Sequence, residues 1–367
     1  MPHVVYDHQV FSWQEYGGIS RYFYELAGRV NAVEGFSASI VAPLYVNRYL
    51  KNGGMRAAGM YLPPLSRGTR AVEFFNHHVE SAWLKIRRPD VFHETYYPAR
   101  SSAPRGCPVV ITVHDMIQEK FSAAFGLSDE TSAKKRAAVM RADRVVCVSE
   151  NTRADLIQIF NPDPGKVRTI HLGVAAKTEN DLTMPPPALP KPFFLYVGMR
   201  RGYKNFANVL SAYAARPMLR KEFDLIAFGS NTLTAEEHEA IGSLRLAPRQ
   251  VRHLAGDDDL LGYLYGKAQA LIYPSLYEGF GIPPLEAMSH GCPVICSNTS
   301  SIPEVVGNAG LYFDPHSVEA IGDAMERVAS HPTLRSDLAA RGRERAREFS
   351  WDRCTARTLD VYRELVT

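Results

Sequence analysis

Between Ala175 and Pro192 the chain reads AAKTENDLTMPPPALPKP, with Pro185, Pro186, Pro187, Pro190 and Pro192 and almost no side chain that can pack. Proline fixes φ and withdraws a backbone donor, so neither a helix nor an interior strand runs through such a segment. It reads as a semi-rigid strap between domains. The strap cuts 367 residues into two halves, each long enough to bury a core of its own.

The halves share one pattern. Short apolar runs alternate with helix-like stretches: VVY, SASIVAP, DVFHET, PVVITVHD, RVVCVSE and VRTIHLGV before the strap, then FFLYVGM, FDLIAFGS, VRHLAG, ALIYPS, PVICSN and GLYFDP after it. Strand followed by helix, repeated, predicts a parallel sheet covered by helices on both faces. Val72, Phe75, Val79, Trp83 and Ile86 recur at steps of three and four, the spacing of an amphipathic helix laid on a sheet. Ser149 is placed to cap the helix ENTRADLIQIF. The last segment, WDRCTARTLDVYRELV, carries its own apolar stripe through Leu359, Tyr362 and Val366.

Charge and cysteine content narrow the function. Residues 1–175 hold 21 Lys+Arg against 16 Asp+Glu, and residues 176–367 hold 21 against 23, so the first half is the basic one. Its clusters Lys85, Arg87, Arg88 and Lys134, Lys135, Arg136 are solvated helix faces or a contact for anionic headgroups at the inner membrane surface. No strongly basic domain or aromatic-basic module points to nucleic acid. No apolar run is long enough to span a bilayer, and the start lacks the order of a secretory signal, so a cytoplasmic protein is expected. Five cysteines without a paired framework fit a reducing compartment, with Cys292 and Cys296 read as small buried hydrophobes rather than zinc ligands.

Open α/β sheets bind ligands outside the carboxyl ends of their strands, which makes the residues after each apolar run informative. Gly17-Gly18-Ile19-Ser20-Arg21 follows the first run and opens a helix, where backbone can approach an anion closely. It is not GxGxxG, and that motif is absent, which removes the main support for a nicotinamide or flavin enzyme. His114-Asp115 ends VVITV. Met199-Arg200-Arg201-Gly202-Tyr203-Lys204-Asn205 ends FFLYVG and supplies cations suited to a diphosphate. After ALIYPS comes Glu278-Gly279-Phe280-Gly281-Ile282-Pro283-Pro284-Leu285-Glu286, with glycines that expose amides and a proline able to start a helix.

The stretch EGFGIPPLEA, with seven residues between Glu278 and Glu286, resembles the signature of the GT4 family of retaining glycosyltransferases. GGISR near the start, the HD pair, the Arg and Lys-Asn after the first strand of the second half, and the FSW helix extend the resemblance over nearly the whole chain. The resemblance implies a GT-B fold: two Rossmann-like domains facing across a cleft, with the C-terminal helix crossing back to the first. The expected division is 1–175 for an acceptor-side domain, 176–192 for the linker, 193–348 for a nucleotide-sugar domain and 349–367 for the returning helix. By the same resemblance Gly17 and Gly18 lie near the donor diphosphate and His114 beside the transferred sugar. Lys204 with Arg200 or Arg201 neutralises the diphosphate. Glu278 and the backbone of Gly279, Phe280, Gly281 and Ile282 hold sugar hydroxyls, and Glu286 takes the ribose.

The expected activity is a metal-independent, retaining transfer of a hexose from a nucleotide sugar to a glycan or lipid-linked glycan in cell-surface polysaccharide synthesis. The family leans to GDP-mannose as donor, with no separate cofactor. Lys204 and an arginine stabilise the departing phosphate. Asp257-Asp258-Asp259 contains an Asp-x-Asp pattern but opens an apolar-periodic stretch, so it is expected to cap a helix rather than hold a metal. The basic loop from Asn47 to Arg70, with Lys51, Arg56, Arg67 and Arg70, is the expected acceptor contact. The rivals are a nucleotide-sugar epimerase and a two-lobed sugar-nucleotide-binding protein without turnover.

Overall fold

The computed structural model describes residues 1–55, 57–63, 69–125, 129–174 and 189–366. The chain divides into two compact units, Met1–Gly173 with Trp351–Thr367, and Val174–Ser350. Most of the proline strap, and Arg56 and Arg67 of the basic loop, lie outside the described residues.

In the first unit the strands are β1 (His3–Tyr6), β2 (Ser37–Tyr45), β3 (Ala57–Tyr61), β4 (Val91–Glu94), β5 (Val109–Val113), β6 (Arg144–Cys147) and β7 (Val167–Thr169). They form one parallel sheet in the order β3-β2-β1-β4-β5-β6-β7. The second unit holds β8 (Phe193–Val197), β9 (Asp224–Phe228), β10 (Val251–Leu254), β11 (Ala270–Tyr273), β12 (Val294–Ser297) and β13 (Gly310–Phe313), ordered β10-β9-β8-β11-β12-β13 and again all parallel. Both are doubly wound sheets. Order reverses between β1 and β4 and between β8 and β11, and ligands bind such sheets where it reverses.

Continuous apolar runs make these strands because helices cover both faces. Every residue of β5, β8, β9, β11 and β12 is buried, as parallel sheets require. Each fully buried Leu, Ile or Phe there contributes roughly 1.5–3 kcal/mol. The apolar runs of the sequence coincide with six of the seven strands in the first sheet and all six in the second. The missed strand, β3, has the weak pattern AAGMY, and its backbone lies so close to β2 that a Cβ on Gly59 would strike the Ala42 carbonyl.

Two local expectations meet different fates. Ser149 does cap its helix, accepting from the Thr152 N–H at 3.0 Å. Only part of the stripe on helix Thr69–Arg87 faces the sheet: Trp83 packs against Val5, Val41 and Phe92, but Phe75, Val79 and Ile86 are 48%, 39% and 81% exposed, while Asn76, Glu80 and Leu84 are buried. The polar residues win the inward face because backbone groups beside them need partners. Asn76 accepts from the Leu44 N–H and donates to the Leu44 carbonyl, both at 2.8 Å. Glu80 accepts the His8 N–H at 3.1 Å and pairs with the His8 ring at the same distance.

The final helix, Trp351–Val366, belongs to the first unit and packs on helix Gly18–Ala32 and β4. Tyr362 anchors it, its hydroxyl 2.6 Å from His93 Nδ1 and 3.1 Å from the Tyr6 hydroxyl. Burial, helped by His114, pushes the His93 pKa down to about 3, so a neutral ring bridges Tyr362 and Thr112. Among the described residues no helix is long and apolar enough to cross a membrane.

Candidate functional site

β8 and β11 are neighbours at the reversal of the second sheet, so the segments after them meet. The chain leaves β8 through Gly198, whose φ of 121 favours glycine, and turns through Gly202–Lys204. Asn205, at φ 59, donates its side-chain amide to the Pro274 carbonyl at 3.1 Å and the Pro315 carbonyl at 2.7 Å. The Leu276 N–H donates to the Tyr203 carbonyl at 2.8 Å. These ties fix Lys204 beside the loop after β11, where its Nζ lies 2.7 Å from Glu278 Oε1. The rings of Tyr203 and Tyr273 sit 5.4 and 5.7 Å from the ammonium.

Glu278 is held from both sides. Its N–H donates to Ser300 Oγ at 2.9 Å, and Ser301 Oγ donates to the Glu278 and Phe280 carbonyls at 2.9 and 2.8 Å. Neither serine stands out in the sequence, yet both follow β12, the strand next to β11, and strand-end position is the signal that could have found them. Gly279, Phe280 and Gly281 are buried, and the Phe280 ring packs against Phe349, 5.8 Å away, so this stretch can offer a ligand only its backbone. Gly281 caps helix Ile282–Ser289 at φ 114, a conformation that favours glycine, and proline stands in the helix's first turn. Glu286 lies further along it, half-buried, with the Tyr265 hydroxyl 3.4 Å from Oε2.

Arg200 corrects an expectation. Its guanidinium is buried and fully engaged inside the unit, with Nε and Nη2 on the two Glu237 oxygens at 2.8 and 3.1 Å and further donations to the Gly229, Asn231 and Thr232 carbonyls. So engaged, the Arg200 guanidinium ties the loops after β8 and β9 to helix Ala235–Ser243. Arg201 is exposed at the start of the Gly202–Lys204 turn. The acidic triplet also has a geometric role: Asp257 caps helix Asp258–Lys267, accepting from the Leu260 N–H at 3.0 Å.

In the first unit Gly17 is the N-cap of helix Gly18–Ala32. The Gln14 side chain fills the space that a Cβ on Gly17 would take, and its Oε1 accepts the Ser20 N–H at 3.1 Å. The positive end of a fifteen-residue helix thus opens at Gly17 and Gly18. His114 and Asp115 follow β5. Burial drives the His114 pKa down to about 4, with Asp115 opposing and Lys135 assisting, so the ring is neutral at pH 7. Its Nε2 is buried and has no hydrogen-bond partner among the described residues.

Lys135, read from sequence as part of a surface cluster, is instead buried. Its ammonium lies 2.8 Å from Glu119 Oε2 and 2.9 Å from the Asp115 carbonyl, with the Tyr97 ring at 5.4 Å. It fastens the HD turn. Lys134 pairs with Glu130 at 2.6 Å, and Arg136 lies over the Phe160 ring. The five cysteines are free thiols, Cys292 and Cys296 both buried.

Residues 16–177 match the family model described as Glycosyltransferase Family 4, and residues 181–345 match that of Glycosyl transferases group 1. The chain is 35% identical to the Escherichia coli O-antigen chain mannosyltransferase B over 235 residues, 61% of each chain. It is 27% identical to the Escherichia coli serotype-specific mannosyltransferase WbdA over 343 residues, 86% of this chain and 40% of that enzyme. The chain thus spans about three fifths of the first relative's length and two fifths of the second's. Anabaena HepE, solved with UDP-glucose, superposes with a TM-score of 0.77 at 16% identity, covering 98% of this chain and 99% of that one, and shares its GT-B fold. The two models match consecutive stretches that together reach from residue 16 to residue 345, and the protein belongs to the family 4 glycosyltransferases.

Proposed function

We propose that this chain is a retaining, metal-independent hexosyltransferase that moves mannose from GDP-mannose to a glycan or lipid-linked glycan acceptor in cell-surface polysaccharide synthesis. The observation that carries the reading is the Lys204–Glu278 pair at the reversal of the second sheet. A lysine and a carboxylate held together at a strand-end site are a matched set, one for the phosphate and one for sugar hydroxyls. Their mutual attraction holds the two side chains together until a donor separates them. The mannosyltransferases among its relatives support mannose as the sugar.

In the proposed reaction the bond from the anomeric carbon to the diphosphate oxygen breaks as the acceptor oxygen attacks from the same face. The acceptor's hydroxyl proton passes to the departing phosphate oxygen. Lys204 and Arg201 stabilise the charge that develops there. Glu278 and the amides of Gly279 to Ile282 hold sugar hydroxyls, Glu286 the ribose, and the amides at Gly17 and Gly18 a diphosphate oxygen. A neutral His114 ring can hydrogen-bond a sugar hydroxyl without repelling the oxocarbenium-like centre. Lys204 and Arg201 make a metal redundant for the leaving group, and Asp257 is spent on its helix cap. Lys85, Arg87 and Arg88, exposed at the end of helix Thr69–Arg87, are the proposed contact with anionic headgroups.

A panel of nucleotide sugars, each scored for thermal stabilisation and for transfer to a mannose-terminated oligosaccharide, tests the proposal. GDP-mannose is expected to raise the melting temperature most and to add one hexose to the acceptor with retained configuration. Stabilisation by UDP-glucose alone would overturn the donor assignment. A change in the sugar without any acceptor would turn the reading to an epimerase.

A further inference from the structure

β12 ends on Ser297, and the turn Asn298-Thr299-Ser300-Ser301 leads from it into helix Ile302–Val306. Four hydroxyls along this stretch reach the backbone that leaves the neighbouring strand, β11. Ser297 Oγ donates to the Ser275 carbonyl at 2.6 Å, and Thr299 Oγ1 donates to the Leu276 carbonyl at 3.0 Å. Ser300 Oγ then accepts the Glu278 N–H, and Ser301 Oγ donates to the Glu278 carbonyl, both at 2.9 Å. The hydroxyls form a ladder against one loop, and the reaction above assigns that ladder no part.

The last two rungs clamp a single residue. Peptide units are planar, so only φ and ψ of Glu278 relate the plane that carries its N–H to the plane that carries its carbonyl. Ser300 holds the first plane and Ser301 the second, which fixes the direction of the Glu278 Cα–Cβ bond. Ser301 is fully buried and shares its one hydroxyl proton with the Phe280 carbonyl at 2.8 Å. The plane that carries the Gly281 N–H is thus set by the same oxygen. Ser300 has a φ of 54, in the left-handed region that a side chain enters only at a cost. Glycine would adopt that conformation freely but has no oxygen to offer Glu278.

The clamp matters most when the partner of Glu278 is called away. Its carboxylate is held at the other end by Lys204, at 2.7 Å. On the transferase reading above, the donor diphosphate draws that ammonium to itself, and the carboxylate then takes its direction from its backbone. We infer that Ser300 and Ser301 are positioning residues for the donor sugar, holding Glu278 towards the sugar hydroxyls after its salt bridge has opened. The inference rests on that reading and deepens it. Misplacing such a group by about 1 Å is enough to slow a reaction severely.

Ser300→Gly separates this role from a merely structural one. It removes the oxygen that accepts the Glu278 N–H and at the same time relieves the left-handed strain, so the variant is expected to melt close to the wild type. Ser300→Asn keeps an acceptor oxygen on a residue that tolerates the same backbone. Melting temperature, GDP affinity by calorimetry and mannose transfer from GDP-mannose are measured for wild type and both variants. Ser300→Gly is expected to bind GDP as the wild type does and to lower kcat about tenfold with KM little changed. Ser300→Asn is expected to regain most of that turnover. Wild-type kcat in Ser300→Gly overturns the inference. So does a parallel fall in melting temperature, GDP affinity and kcat, which a structural role alone produces, or an asparagine variant as slow as the glycine one. A wild type that transfers no mannose from GDP-mannose brings down the donor reading and the clamp with it, whereas wild-type transfer beside an unaffected Ser300→Gly brings down the clamp alone.

Discussion

The two units share a sheet topology but build their ligand-facing ends differently. In the second unit the candidate groups lie in two short segments, Gly198–Asn205 and Glu278–Glu286, delivered by adjacent strands. In the first unit three polar pairs with at least one buried partner brace the corresponding region, His8 with Glu80, Glu94 with Arg141 and Lys135 with Glu119, where the second unit has Arg200 with Glu237 beside the Lys204–Glu278 pair. A site made from contiguous motifs tolerates change around it. One braced by buried charges binds its recognition surface to its stability.

The largest expected effect follows from that contrast. Lys135→Met should lower stability by about 3–5 kcal/mol, because it strands a buried Glu119 carboxylate. Lys135→Met with Glu119→Leu should recover much of the loss, since no charge is then left unpaired. Urea denaturation read by circular dichroism measures both. A single variant as stable as wild type would put Lys135 back at the surface and erase the distinction between the units.

In the second unit, Glu286→Gln should leave stability nearly unchanged and weaken donor binding by roughly 1–3 kcal/mol, as a neutral amide replaces a carboxylate proposed to accept from ribose hydroxyls. Calorimetry with intact donor decides it, and unchanged affinity would remove Glu286 from the site.

Acid should act on the first unit. His114 has a folded pKa lowered to about 4 by burial, against about 6.5 when unfolded. Between those values the unfolded chain binds the extra proton, so the stability contributed by the neutral ring is full above about pH 6.5 and is lost as pH falls towards about 4. His114→Gln should flatten stability against pH in that window, and an unaltered curve would contradict the burial of the ring. The smallest effect is expected at Asp257. Its Asn variant retains a capping oxygen and should cost well under about 1 kcal/mol, with turnover unchanged. A loss of transfer restored by manganese would make the triplet a metal site.

How much was legible in the sequence follows the same division. The doubly wound pattern and the Lys204 and Glu278 segments are contiguous signals, and the apolar runs that flank them become strands because burial on both faces demands it. The inward face of helix Thr69–Arg87 was legible only at Trp83. Periodicity assigns the core to apolar side chains, and there the core side is taken by Asn76 and Glu80, whose partners Leu44 and His8 lie more than thirty residues away. Lys135 was misread for the same reason: nothing in KKR tells which lysine will find Glu119 across a helix pair. Arg200 and Arg201 are chemically alike in sequence, and nothing there tells that Arg200 is the one buried on the Glu237 carboxylate while Arg201 is exposed.

The claim at the centre is that a lysine, not a metal, receives the donor diphosphate in the second unit. Titrating GDP-mannose into the wild type and Lys204→Ala, both in excess EDTA, tests it most directly. Chelation should leave wild-type affinity intact, while loss of a charge-assisted contact of roughly 1.5–3 kcal/mol should weaken the variant about ten- to a hundredfold. Wild-type binding that vanishes in EDTA and returns with manganese, alongside a Lys204→Ala variant that binds as well as wild type, would contradict it.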